Sequence, residues 1–510
     1  MPRVLTGEGT SGIIELKGSG LSETYAPDND LDRALELLFA LYEVKNAQGS
    51  RLRDNYRLEG FNWLSTQVGN LYWRWLFRLV QYGPLLQRFE QENLCPRFRN
   101  KLNLARIWEV LHPEPKGLLK RLWANWQYEH ILGRHNREIA RTMGGKLLFY
   151  RYGPKDFRTR EMLTHFEERG VEFDFVYSPS QRLLKERAKQ PHPCYFLHRK
   201  RPVKRLFHNE YDLSGFEPWM QSALARVIER AEEQMSFAVW EYRRHLQDLA
   251  PNPPKLLFGL EDHQEIYPLL YACRTLGVPS IGYQFSMYAR RQAAYTFEGW
   301  NPGEYDGFDK VITWGPYWEK VIRKWSQVYP PGYYLPGANK HSYGYKRLDS
   351  PSFDTRNILV PYEFWGNTRR IGQYMVKLMD LGYTVYFKFK PDERPRRQLD
   401  CYELPEAYRS RVVEVLEITD ELMAEINIVA GGMTTLLYDL LPYGKHTWVL
   451  DTEFTLLDDL VEDGWAEKVR YEDLESLPRP QKAEIHKDWS ELFSSTPLPQ
   501  VLDEQVLARL

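Results

Sequence analysis

The feature that most limits how this chain can fold is an alternation of short apolar runs with helical periodicities, and it occurs twice. The first begins after Lys146: LLFYRY (147–152) has strand length, a Gly-Pro loop follows, TREMLTHFEERG (159–170) has helical spacing, and VEFDFVYS (171–178) is strand-like again. After the basic LHRKRPVKRLFH and a long helical stretch over 217–249, it resumes: strand 255–260, helix 264–276, VPSIGYQF (278–285), KVITW (310–314) and helix 315–326. The second starts afresh with strand NILVPY (357–362), helix 368–382, strand YTVYFKFKP (383–391) and helix 405–415. INIVAGG (426–432), helix TTLLYDLLPYG (434–444) and strand HTWVLD (446–451) complete it. Strand–helix alternation over short connections predicts a parallel, doubly wound sheet each time. The Pro-, Gly- and Tyr-dense segment between them, 327–350, predicts a linker or exposed loop.

The region upstream has a different character. Residues 1–30 are rich in Gly, Ser and Thr and predict an irregular start, whereas 31–42 and 97–143 have helical spacing. Within 61–86, Trp63, Leu71, Trp75 and Leu79 share a helical face, with Arg74 and Arg78 elsewhere. Such a helix either faces the core with solvated arginines or lies on a membrane surface. The predicted organisation is α/β: a mostly helical region (1–144), two Rossmann-like domains (145–335 and 336–480), and a helical tail (481–510).

Composition narrows the functions. Sixty-eight basic residues against 69 acidic ones, a net charge of -1, argue against a general nucleic-acid binder. The four cysteines, Cys95, Cys194, Cys273 and Cys401, form no CxxC pair, so neither a disulfide framework nor a zinc site is expected. With no signal-peptide layout and no apolar run of transmembrane length, the expected place is the cytoplasm, or its membrane's inner face if the amphipathic helix binds there.

In open parallel sheets, ligands sit beyond the carboxyl ends of the strands. The best such place here is AGGMTTLLYDLLPYGK (430–445). Gly431 and Gly432 let the backbone approach a ligand; the helix start, Thr434 and Thr435 suit a phosphate, and Asp439 a ribose. A tight turn with Thr434 as N-cap is the plainer alternative. Glu363 ends the first strand of the second domain, and Arg369 and Arg370 open the next helix. These arginines either hold a phosphate or sugar carboxylate bidentately or are solvated. After strand 147–152, Arg151 and Arg158, with Lys155 and Arg160, form a candidate contact for an anionic acceptor.

The Gly-Gly-x-Thr-Thr run, its helix with an acidic residue one turn on, and the following Gly and strand resemble the donor site of GT-B glycosyltransferases. The likeness is to the bacterial capsule and lipopolysaccharide branch that includes Kdo transferases and polysialyltransferase-like enzymes. It implies that Thr434 and Thr435 contact the donor phosphate and Asp439 the ribose. The branch's Lys-x-His-Pro-like element reads Lys388-Phe389-Lys390-Pro391 here, without the His, leaving Lys388 and Lys390 to neutralise phosphate or simply be solvated. Its Gln-His-Gly element reads Gln284-Phe285-Ser286, and FDKVITWGPYWEKVI (308–322) resembles its strand ending in a Trp-Gly turn. The resemblance covers roughly 145–480.

It implies transfer of a sugar from a nucleotide-sugar donor, with a CMP-linked ulosonic acid such as Kdo preferred, to a glycan or lipid-linked glycan acceptor, in surface polysaccharide synthesis. Such chemistry needs a base or a carboxylate nucleophile, for which Glu261 and Asp262 stand at a strand end; Asp262 as a helix cap is the alternative. No metal is expected, because no DxD-type motif stands at a strand end. A CDP-polyol phosphotransferase and a non-catalytic GT-B-shaped binding or assembly subunit are the alternative readings.

Overall fold

The computed structural model describes residues 4–5, 14–18, 21–25, 28–92, 97–98, 103–113, 130–154, 156–178, 180–186, 190–198, 203–261, 265–337, 356–363, 367–390, 395–477 and 491–510. Two parallel sheets organise them. The first holds seven strands: β1 (Leu147–Tyr150), β2 (Phe173–Tyr177), β3 (Cys194–Phe196), β4 (Leu256–Glu261), β5 (Ser280–Gln284), β6 (Lys310–Thr313) and β7 (Tyr334–Pro336). Their spatial order is β7-β6-β5-β4-β1-β2-β3, every neighbouring pair parallel. The second holds six: β8 (Asn357–Pro361), β9 (Thr384–Lys388), β10 (Val413–Val415), β11 (Ile428–Gly431), β12 (His446–Leu450) and β13 (Glu467–Val469). Their order is β10-β9-β8-β11-β12-β13, again all parallel.

These are two Rossmann-like units in tandem, and the amino-acid pattern explains why. Every residue of β1, β2, β4 and β11 is buried, as expected of strands covered by helices on both faces. Each sheet runs outward from its first strand, then reverses direction past it. The reversal leaves a switch point, between β1 and β4 in the first sheet and between β8 and β11 in the second. Chains leave these two strands in opposite directions there, which opens a crevice at the carboxyl edge.

The upstream region is helical in the main but not throughout. Helix α1 (Leu31–Glu43) begins where the Asp30 side chain accepts from the Arg33 amide at 2.9 Å, and it buries Leu31, Ala34, Leu35, Leu38, Leu41 and Tyr42. The first 30 residues are not simply irregular, for Ile14–Gly18 and Leu21–Tyr25 pair as an antiparallel hairpin. Trp63, Leu71, Trp75 and Leu79 are all buried, and so is Arg78. Residues 61–86 are therefore core, which leaves this segment no apolar face for a membrane. Among the described residues, no helix is long and apolar enough to cross one.

The units are bound together. Phe454 of the second stacks on Phe77 of the helical region at 5.4 Å between ring centres, with planes 18° apart. Arg291 of the first unit pairs with Asp32 of α1 at 2.6 Å, with Asp458, and with the Thr455 carbonyl at 3.1 Å. The tail returns to the first unit: Ser494 N–H donates to the Trp314 carbonyl at 2.7 Å, and Asp503 meets His165 at 2.8 Å. Of the segment expected as a linker, Tyr334–Pro336 is the edge strand β7.

Candidate functional site

The carboxyl edges of the two sheets lie on a shared boundary. The Ser286 hydroxyl, just past β5, stands 3.4 Å from the Thr435 hydroxyl, just past β11. The two sheets thus face each other here with a wall from each carboxyl edge.

The second wall is built from backbone. Glu363 follows β8 by two residues, and its amide donates to the Tyr402 hydroxyl at 2.8 Å. Its carboxylate Oε1 accepts from the Gly432 amide at 2.7 Å. The amides of Met433 and Thr434 face the same carboxyl, while Oε2 closes no hydrogen bond. The side chain is 3% exposed, and burial pushes its pKa up to about 7 against the pull of those three amides. The glycines are needed for this approach: a Cβ on Gly431 would lie 2.5 Å from Oε1, and one on Gly432 only 2.8 Å from the Thr452 hydroxyl. Successive amides pointing at one anion make a nest.

The other predicted residues of this domain divide around that nest. Thr434 Oγ1 accepts from the Leu436 amide at 3.2 Å and so braces the turn, while the N-cap position of the helix falls on Thr435 rather than Thr434. Thr435 faces the boundary. The helix they open spans only Leu436–Leu440 before a 3₁₀ turn over Leu441–Tyr443, so its dipole is much shorter than the predicted 434–444 implied. Asp439 is 8% exposed, buried rather than presented to a ribose at the surface. Arg369 is engaged by Glu403 at 3.4 Å, and Arg370 by Glu472 at 3.5 Å and the Tyr471 ring at 4.7 Å. Lys388 Nζ donates to the Phe389 carbonyl, and burial lowers its pKa. Lys390 is exposed, and its backbone is fixed by two hydrogen bonds with Gln398 at 2.8 and 2.9 Å.

The first wall is built from side chains. Glu261, the last residue of β4, is 5% exposed and accepts from the Tyr288 hydroxyl. Asp262 lies outside the described residues. Gln284 is 1% exposed; its Oε1 accepts from the Trp314 amide at 2.9 Å and its Nε2 donates to the Ser286 carbonyl at 2.9 Å. That side-chain amide ties the end of β5 to the end of β6. Arg151 is buried, donating to Thr159 Oγ1 at 2.8 Å and the Asp156 carbonyl at 3.2 Å, and so braces its loop. Arg158 pairs with Asp156 at 2.8 Å and stacks on Tyr152 (4.6 Å) and Phe285 (4.4 Å). Its charge faces the buried Asp156 carboxylate.

Sequence reasoning missed Tyr402 and Tyr288, the hydroxyls that position the two strand-end glutamates. No local signal marks either, because both arrive from other elements. Phe285, noted only as a departure from a histidine, also proves to be half of an aromatic pair with Tyr152, which is 41% exposed.

No family model matches the chain. No curated protein matches it either. Among solved structures it is similar to MurG of Acinetobacter baumannii at 11% identity, over 71% of this chain and 99% of that one, with a TM-score of 0.40. It is also similar to CalG4, the calicheamicin glycosyltransferase, at 12% identity over 72% and 98%, with a TM-score of 0.44. A third is the UDP-GlcNAc 2-epimerase of Methanocaldococcus jannaschii, at 9% identity over 71% and 99%, with a TM-score of 0.42. Likenesses at this level assign no chemistry.

Proposed function

We propose that the protein is a glycosyltransferase that takes a sugar from a nucleotide-sugar donor bound at the second switch point and passes it to a glycan or lipid-linked glycan acceptor at the first. One observation carries this reading: the Gly432–Thr434 amides converge on an anion at a switch point that faces a second sheet's carboxyl edge. A pyrophosphate or phosphodiester suits such a nest, and Thr435 supplies a hydroxyl beside it. The preferred donor is a CMP-linked ulosonic acid, and the setting surface-polysaccharide assembly. Glu261 is committed to Tyr288, so Asp262, next in the chain, is the favoured general base or nucleophile.

The test is product analysis with CMP-, UDP- and GDP-sugars and a CDP-polyol. Sugar transfer that survives EDTA is the expected result; transfer of glycerol phosphate identifies a phosphotransferase instead. Asp262→Asn should leave the melting temperature nearly intact and lower turnover by about two orders of magnitude or more. One observation favours a second reading, a binding subunit without turnover: Glu261 and Gln284 are both engaged inside the first unit. Nucleotide binding with neither transfer nor hydrolysis would select it.

A further inference from the structure

Two facts about the second switch point pull against each other. Its amides converge on one anion, and that anion belongs to the chain itself. The Gly432 amide cannot donate to Glu363 and to a donor phosphate in the same geometry. A Cβ on Gly431 would also press on Oε1, so the absence of a side chain there makes room for the glutamate. Meanwhile Oε2 is buried without a hydrogen bond, an arrangement that costs free energy and leaves the carboxyl poorly satisfied where it is. We propose that Glu363 is a built-in occupant of the nest: its carboxylate holds the place of the donor phosphate, and the phosphate enters as the carboxylate leaves.

The groups facing Glu363 decide what releases it. They are the amides of Gly432, Met433 and Thr434 from the turn after β11, and the Tyr402 phenol; among the described residues no neighbouring charge contributes to its shift. Nothing there holds the carboxylate by ion pairing, so losing its own charge is enough to weaken its competition. Burial has moved that event to about pH 7. Binding that requires the protonated form then changes about tenfold between pH 6 and pH 8, in proportion to the competent fraction. The identity of the entering phosphate rests on the nucleotide-sugar reading; the exclusion itself does not.

Inorganic sulfate is the suitable probe, because it is fully ionised throughout this range. Equilibrium dialysis with ³⁵S-sulfate at pH 6 and pH 8 should show about tenfold weaker binding at pH 8 for the unaltered protein. Glu363→Gln, which keeps the shape, and Glu363→Ala should bind sulfate equally at both pH values and at least as tightly as the unaltered protein does at pH 6. Glu403→Gln, which loses only the Arg369 partner, should behave like the unaltered protein. The proposal is overturned if the pH dependence is absent, if it persists in Glu363→Gln, or if no form binds sulfate. CMP and UDP run in parallel separate the two ideas. Sulfate behaving as expected without nucleotide binding removes the nucleotide-sugar reading alone. Nucleotide affinity indifferent to Glu363 removes the built-in occupant alone.

Discussion

The two switch points occupy equivalent places in similar sheets, yet they satisfy their strand-end glutamates differently. Glu261 gives its carboxylate to a tyrosine hydroxyl within the first unit, amid tightly packed aromatic rings. Glu363 gives its carboxylate to backbone amides that no side chain can remove. The first arrangement is finished, and its neighbours Gln284 and Arg158 are also fully engaged in fixing loops. The second leaves Oε2 without a hydrogen bond, and on the proposal above its carboxylate stands in for a ligand. Equal topology gives each sheet a switch point, and among the described residues the converging amides stand at the second.

The largest expected effect contrasts the two walls directly. Replacing Thr434 and Thr435 together with valine should weaken nucleotide binding by on the order of 1.5–3 kcal/mol for each charge-assisted bond lost. Tyr152→Ala, at the first wall, should leave nucleotide affinity unchanged in the same calorimetric titration. A loss for Tyr152→Ala instead would place the donor in the wrong domain.

Next comes a ligand-free difference. The native state keeps the Glu363 proton up to about pH 7, whereas an unfolded glutamate releases it near its ordinary value of 4.5. More protons bound in the native state mean that stability falls as pH rises across this interval. The change amounts to about 3 kcal/mol. Denaturant unfolding at pH 5 and pH 8 should show this decline, and Glu363→Gln should remove it.

A smaller effect belongs to Glu261. Glu261→Ala orphans the buried Tyr288 hydroxyl and should cost about 1–3 kcal/mol in denaturant unfolding. Loss of turnover at unchanged stability would instead make Glu261 catalytic. The smallest concerns Arg369, whose partner Glu403 is half exposed. Arg369→Ala should change stability by less than about 1 kcal/mol and leave nucleotide affinity alone.

What was legible in the sequence follows from element length and from which partners are local. The longer, largely buried strands announced themselves: VEFDFVYS contains β2, VPSIGYQF contains β5 and HTWVLD contains β12. The edge strands β3, β7, β10 and β13 have three residues each, too few for any periodicity. One was lost inside a predicted helix, since 405–415 is a short turn of helix at Glu406–Arg409 followed by β10. At the site, Gly431-Gly432 and Thr434-Thr435 marked the turn correctly, because conformation there is set by adjacent residues. The occupant of that turn was not legible. Glu363 stands 69 residues before Gly432, and their meeting depends on β8 and β11 being neighbours in the sheet.

The central claim is that the second switch point is the donor site, and crystals soaked in CMP, UDP or GDP test it most directly. The account predicts a phosphate within hydrogen-bonding distance of the Gly432 amide, with the Glu363 carboxylate turned away from it. A nucleotide bound elsewhere, with Glu363 still seated on that amide, would contradict it.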